Sequence, residues 1–407
     1  MADPHPSNTR NSSARVRRWT GPALLSFGYR PLFLGAGLWA VLAMVLWLVE
    51  LTGTRVLATH LDPIGWHAHE MLFGYLGAAL AGFMLTAVPN WTGRLPILGW
   101  PLAVLTGLWA VGRAVMLVSA LVPGPLVMAL DLAFPLALLA MSLREVLAGR
   151  NWKNLPLLAL FSLYILGNAL FHLEGLNGGF PARGPGLRLG LSAALLLITL
   201  VGGRVIPSFT RNWLVKQGQE GRPAALGPFD LIVFAASVLV LLGWSVSPTQ
   251  TALAPVMLLV GGGHLLRLLR WKGWLTRGEA LLWVLHMGYL FVPLGFIAMG
   301  LSILDPVALP YAGALHLWMA GGIGVMTLAI MSRASLAHAG LPLHAGGRLT
   351  LVYHLIIGSV LLRLGGAYPG ADGWANHLSA LLWLAGFALF TVHYWPVWCA
   401  KPVPKRF

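Results

Sequence analysis

The chain is short of charge. Only 10% of its 407 residues are Asp, Glu, Lys or Arg, where soluble domains carry roughly a quarter. Acidic residues are scarcest, 12 against 27 basic. So little charge cannot clothe a water-facing surface. A single cysteine, Cys399, excludes an intrachain disulfide and any cysteine cluster for a metal. No glycine loop with a phosphate-binding lysine occurs, nor a nucleophile elbow or an HExxH motif, so the corresponding nucleotide, hydrolase and zinc-protease chemistries have no signature here. The first twenty residues are polar and basic, and no cleavable signal follows them. What is plentiful is apolar: 57% hydrophobic residues, with 49 Gly and 18 Trp. Uncharged runs of ~20 residues recur along the chain, the mark of a polytopic helical membrane protein.

Hydropathy and the Pro/Gly punctuation predict twelve spans near 31–52, 67–88, 98–120, 125–147, 155–175, 187–208, 228–246, 250–270, 279–301, 307–332, 348–366 and 373–398. The expected fold class is therefore all-α, with residues 1–26 a basic cytoplasmic tail, 27–398 one transmembrane domain and 399–407 a short basic tail. The net charge of +15 reads as basic loops orienting helices at a lipid bilayer rather than as a nucleic-acid surface. With the N-terminus in the cytoplasm, 22 of the 27 basic residues fall on that side and five (Arg55, Arg113, Arg183, Arg188 and Arg363) outside. That bias puts both termini in the cytoplasm. Spans 2, 6 and 10 each end on an arginine after a run of small and apolar residues, which suggests a pseudo-threefold repeat of four-helix units.

The chemistry rests with histidine. Imidazole and carboxylate are costly in a bilayer and stay there chiefly to bind a metal, a haem or a proton. His67 and His69 open span 2 from outside, within Trp66-His67-Ala68-His69-Glu70-Met71; His172 closes span 5; His316 lies about nine residues into span 10 and His286 lower, in span 9. The expectation is that these five converge in the outer half. A lone buried histidine reads equally well as an imidazole bonded to a carbonyl; five on four helices at one depth do not. Glu70 is expected to orient an imidazole, carry protons or pair with an arginine. Asp131 is expected on a proton path or paired with Arg113. Asn168 and His172, spaced i, i+4, share a helix face. Arg204, after Gly202 and Gly203, has the reach for a haem propionate, although snorkelling is its simpler role. Pro207 is expected to end its helix.

The motifs WHAHEMLFGY, LTAVPNWTGR, GGRVIPSFTRNWL, WVLHMGY and LHLWMAGGIGVMTLAIMSRASLAHAG, in this order over residues 27–398, resemble the NnrS family. That resemblance implies a twelve-span protein of the bacterial inner membrane that contains haem and copper and serves the response to nitric oxide and nitrosative stress. It matches His67, His69, Glu70, Arg204, Pro207, His286, His316, Arg333 and His338. Where that family's last motif ends Gly-His-Thr-Gly, this chain has Ala337-His338-Ala339-Gly340. A weaker resemblance is to haem–copper oxidases and nitric oxide reductases, whose helices 2 and 10 carry haem-binding histidines; spans 6 and 7 here carry no histidine for copper. On these resemblances His69 and His316 are expected as axial ligands of a haem, of b type before others, with Arg204 at a propionate. His67, His172 and His286 are expected on copper, with Glu70 and Asp131 as proton groups of a redox enzyme acting on nitric oxide. A secondary transporter and a haem-based sensor without turnover are the alternatives. No redox partner is legible.

Overall fold

The computed structural model describes residues 19–400. The tail residues 1–18 and 401–407, with His5 among them, lie outside it. Twelve helices are long and apolar enough to cross a membrane. They are α1 (Tyr29–Leu51), α2 (Pro63–Thr92), α3 (Trp100–Leu117), α4 (Gly124–Ala148), α5 (Trp152–Leu176), α6 (Pro185–Lys216), α7 (Pro228–Val246), α8 (Leu253–Arg270), α9 (Ala280–Leu304), α10 (Tyr311–Ala339), α11 (Gly347–Gly365) and α12 (Gly373–Cys399). No strand occurs among the described residues. The expected all-α polytopic class is thus the one found. An apolar helix satisfies all its backbone groups internally, and lipid demands that.

Arg30, at the start of α1, donates to the carbonyls of Trp398 (3.2 Å) and Ala400 (2.7 Å). The first helix begins and the last helix ends at one face of the bundle, as an even number of crossings requires. We call this the terminal face. Helices α2, α6 and α10 are the longest, at 30, 32 and 29 residues, and the most buried: 83%, 67% and 72% of their most apolar stretch is inside, against at most 61% for any other helix. They touch one another pairwise, and α12 packs on α1 to close a ring around them. Three helices four apart in sequence thus meet in the bundle.

Two features depart from the expected helix ends. Pro207 does not end α6, which continues to Lys216. Proline removes one backbone donor, but a membrane helix tolerates that where its neighbours pack tightly. Second, α2 and α10 are not α-helical throughout. Residues Glu70–Tyr75 of α2 and Leu317–Val325 of α10 are wound as π-helix, each segment starting directly after a histidine, His69 or His316. π-turns inside α-helices are rare and gather at functional sites. The carbonyls they disturb find side-chain donors: the Tyr164 hydroxyl donates to Leu72 O (2.6 Å) and Thr327 Oγ1 to Ile323 O (2.7 Å).

Candidate functional site: a charged cluster beside a histidine-lined cavity

The expected convergence of five histidines resolves into two sites and a separate residue. The first site is a closed polar cluster between α1 and α5, toward the face opposite the termini. His69 and Glu70 come from α2, Arg113 from α3, Asp131 from α4, Asn168 and His172 from α5, and none is more than 5% exposed. Arg113 bridges the two acids, with Nη1 2.5 Å from Glu70 Oε2 and Nη2 on Asp131 Oδ1. Glu70 Oε2 also accepts from Trp39 Nε1 (2.8 Å). Asp131 Oδ2 accepts from Asn168 Nδ2 (2.8 Å) and His172 Nε2 (3.1 Å). The i, i+4 spacing of Asn168 and His172 thus brings both to one carboxylate.

His69 lies within this ring of oxygens. Its Nδ1 is 2.8 Å from Glu70 Oε1 and its Nε2 3.0 Å from Asn168 Oδ1, with Asp131 Oδ2 at 3.3 Å. Asn168 must turn its amide nitrogen to the carboxylate, so its oxygen faces His69. Both imidazole nitrogens therefore face acceptors, and the ring donates from both. Two carboxylates, one guanidinium and one imidazolium make the cluster neutral, the condition under which buried charge is tolerated. Small residues allow the approach. A Cβ on Gly74 would lie 2.5 Å from Arg113 Nη1 and 2.8 Å from Glu70 Oε2, and one on Gly112 would lie 3.1 Å from Asp131 Oδ1.

The second site is a cavity of about 650 Å³, bounded by α1, α2, the α5–α6 joint, the start of α6, the α9–α10 joint, α10, α11 and α12, in the same half of the bundle. Its walls are mostly apolar, with Met44, Trp47, Met71, Met319 and Trp383 among them, and its charged or metal-ligating groups are His67, His316, His377, Arg183 and Arg363. His67 and His69 are two residues apart, about 200° around a helix, which is why one enters the cavity and the other the cluster. The His67 ring stacks on Trp47 at 4.0 Å between centroids, and its buried Nδ1 has no protein partner. His316 Nδ1 donates to Ala312 O (2.7 Å) and His377 Nδ1 to Gly373 O (2.5 Å). A carbonyl on Nδ1 fixes the tautomer and leaves the Nε2 lone pair free for a metal. Arg363 is held by Asn376 Oδ1 at 2.8 Å.

The remaining predicted residues lie elsewhere. His286 of α9 is 2.9 Å from Thr210 Oγ1 and packs on Gly273, in the half that bears the terminal face. His67, His172 and His286 thus occupy three separate environments and cannot meet on one copper ion. Arg204 is exposed on α6, outside the cavity wall. His69 and His316 do not share a chamber, because His69 has no nitrogen free to turn toward the cavity. Among the described residues the one group of metal-ligand geometry is His69, Asp131 and His172, with donor atoms within 4.8 Å of one another. The residues that sequence reasoning passed over are Trp39, His377 and Arg363. A signal for Arg363 was present: it is an arginine inside a predicted span with no acidic neighbour, which lipid permits only where a partner or cavity awaits.

A comparison with curated proteins gave no match. A match to NnrS, described as "NnrS protein", runs over residues 23–401. It takes in both histidine motifs, both π-wound segments and every helix of the bundle. The chain belongs to the NnrS family.

Proposed function

We propose that this chain is a haem protein of the bacterial inner membrane that works on nitric oxide, with the haem in the cavity between α2 and α10. The observation that carries the reading is a pair of imidazoles on one apolar cavity of about 650 Å³: His67, whose buried Nδ1 no protein group partners, and His316, whose Nδ1 is held by a carbonyl and leaves Nε2 over. That volume lies within the ~300–1,000 Å³ usual for ligand and cofactor sites. His67 and His316 would hold the iron, and Arg183 and Arg363 would take the propionates, as guanidinium pairs with carboxylate. Bound there, haem would supply an iron that takes a diatomic gas as ligand. Trp47 fixes the plane of His67 by stacking, and the Ala312 carbonyl fixes the tautomer of His316. Asn376 holds Arg363 at the wall. The charge bias of the loops favours a periplasmic position for this half of the bundle.

Copper, which the family resemblance implies, does not fit the His69–Asp131–His172 group as it stands. Asp131 is bonded to Arg113, Asn168 and His172, and His69 donates from both nitrogens. We derive no step through it. The cluster instead braces the α2 turn that bears His67. The test is an absorption spectrum of protein purified from haem-supplemented cells. A Soret band is expected in wild type, lost or shifted in His67→Ala and in His316→Ala, and retained in folded His69→Gln. A wild-type protein without a Soret band sinks the reading. Nitric oxide consumption by the loaded protein then separates an enzyme from a sensor.

A further inference from the structure

A second cavity, of about 70 Å³, lies at the meeting of the three inner helices, between α2, α5, α6 and α10. Its lining is apolar apart from Thr327, with Ala79, Phe83, Ile198, Val201, Ile330 and Met331 on its walls. The same faces of α2 and α10 line both cavities in turn. On α2 the histidine-lined cavity takes Met71, Leu72 and Tyr75, and the apolar one continues with Ala79, Leu80 and Phe83. On α10 the first takes Met319, Ala320 and Ile323, and the second Met326, Thr327 and Ile330. The two chambers therefore follow one another along the bundle. At their junction Tyr75, on the wall of the first, meets Thr327, on the wall of the second, with the oxygens 2.6 Å apart. Thr327 Oγ1 gives its own proton to Ile323 O, so Tyr75 is the donor.

We infer that the apolar chamber is a holding site for a small apolar molecule, a dissolved diatomic gas, next to the histidine-lined cavity. Water has almost no partner there. A buried water needs two to four polar contacts, and apolar cavities stay dry and take up xenon or benzene at ~150 Å³. The pocket is partly open on one side, and its inner volume of about 70 Å³ suits a gas atom or a diatomic. The Tyr75–Thr327 bond is its partition from the polar chamber. The class of gas rests on the function proposed above; the capacity of the chamber does not.

Xenon is the probe, applied to the full chain without added haem, in lipid-phase crystals for diffraction and in lipid nanodiscs for resonance. Xenon-pressurised samples should give anomalous density between Val201 and Ile330, or an exchange-shifted xenon resonance. Val201→Phe and, independently, Ile330→Phe should abolish either signal. Both side chains are half-buried, and either variant alone keeps the test decisive if the other misfolds. No xenon in wild type, xenon retained in both variants, or an acyl chain filling the site overturns the inference. In haem-loaded protein, xenon should alter the geminate rebinding of photolysed carbon monoxide in wild type and not in Val201→Phe. Rebinding insensitive to xenon would remove the gas-holding role while leaving the haem reading intact. A missing Soret band would remove the haem reading while the xenon measurement still decides the chamber.

Discussion

Arg113 joins Glu70 to Asp131 through the two arms of its guanidinium, and His69 faces the same two acids from the other side. Removing one partner of a buried ion pair strands the other, at a cost of about 3–5 kcal/mol. Arg113→Ala strands two carboxylates beside a single imidazolium. We expect the detergent-solubilised variant to lose stability on that scale in a denaturant titration. Arg113→Lys should recover only part of it, since an ammonium lacks the planar fork that reaches both acids. A full rescue by lysine would mean that charge alone, without the bidentate geometry, holds the cluster. The same scale explains what the sequence could not show. Depth along a helix follows from residue number, but azimuth depends on where each neighbouring helix packs. His67 and His69 share a depth and part company in direction; only the positions of Asn168 and Trp47 decide which ring enters which site.

At the scale of elements, the two π-wound segments make contrasting demands. Gly74, inside the α2 segment, faces Arg113 and Glu70 at distances no Cβ tolerates. Gly322, inside the α10 segment, would place a Cβ 3.5 Å from Val292, an ordinary contact. Gly74→Ala is therefore expected to displace Arg113 and lower the melting temperature. Gly322→Ala should be neutral or stabilising, since alanine is favoured over glycine in a helix by about 1 kcal/mol. Equal effects of the two substitutions in a thermal melt would contradict the close-approach argument. The π segments themselves have no sequence signature. Nothing in Glu70–Tyr75 or Leu317–Val325 announces a widened turn, and both segments read as ordinary apolar helix. Pro207 misleads in the opposite sense: its backbone chemistry says stop, and packing overrides it.

At the scale of the whole molecule, lipid is an exacting solvent, and this made the architecture legible. A chain that must hide every backbone group in helices about 20 residues long writes each crossing as an uncharged run. All twelve predicted spans correspond to observed helices; the largest displacements are at the ends of α6 and α10, which run to Lys216 and Ala339 where the sequence predicts the spans to close at 208 and 332. The extensions belong to the three inner helices and run past the apolar stretch into exposed residues such as Asn90, Val215 and Ala337. The distribution of basic residues predicts an orientation that can be tested separately. Cys399 is the one native thiol, so Cys399→Ser gives a background for single cysteines. Thr54→Cys, in the joint between α1 and α2 on the face that bears the histidine-lined cavity, is expected to react with a membrane-impermeant maleimide on spheroplasts. Gln219→Cys, in the exposed joint after α6 at the terminal face, should react only after lysis. The reverse pattern would turn the bundle over and move the cavity to the cytoplasmic side. Arg55, Arg183 and Arg363 would then be the cytoplasmic charges, against a ratio of 22 to five that orients membrane helices the other way.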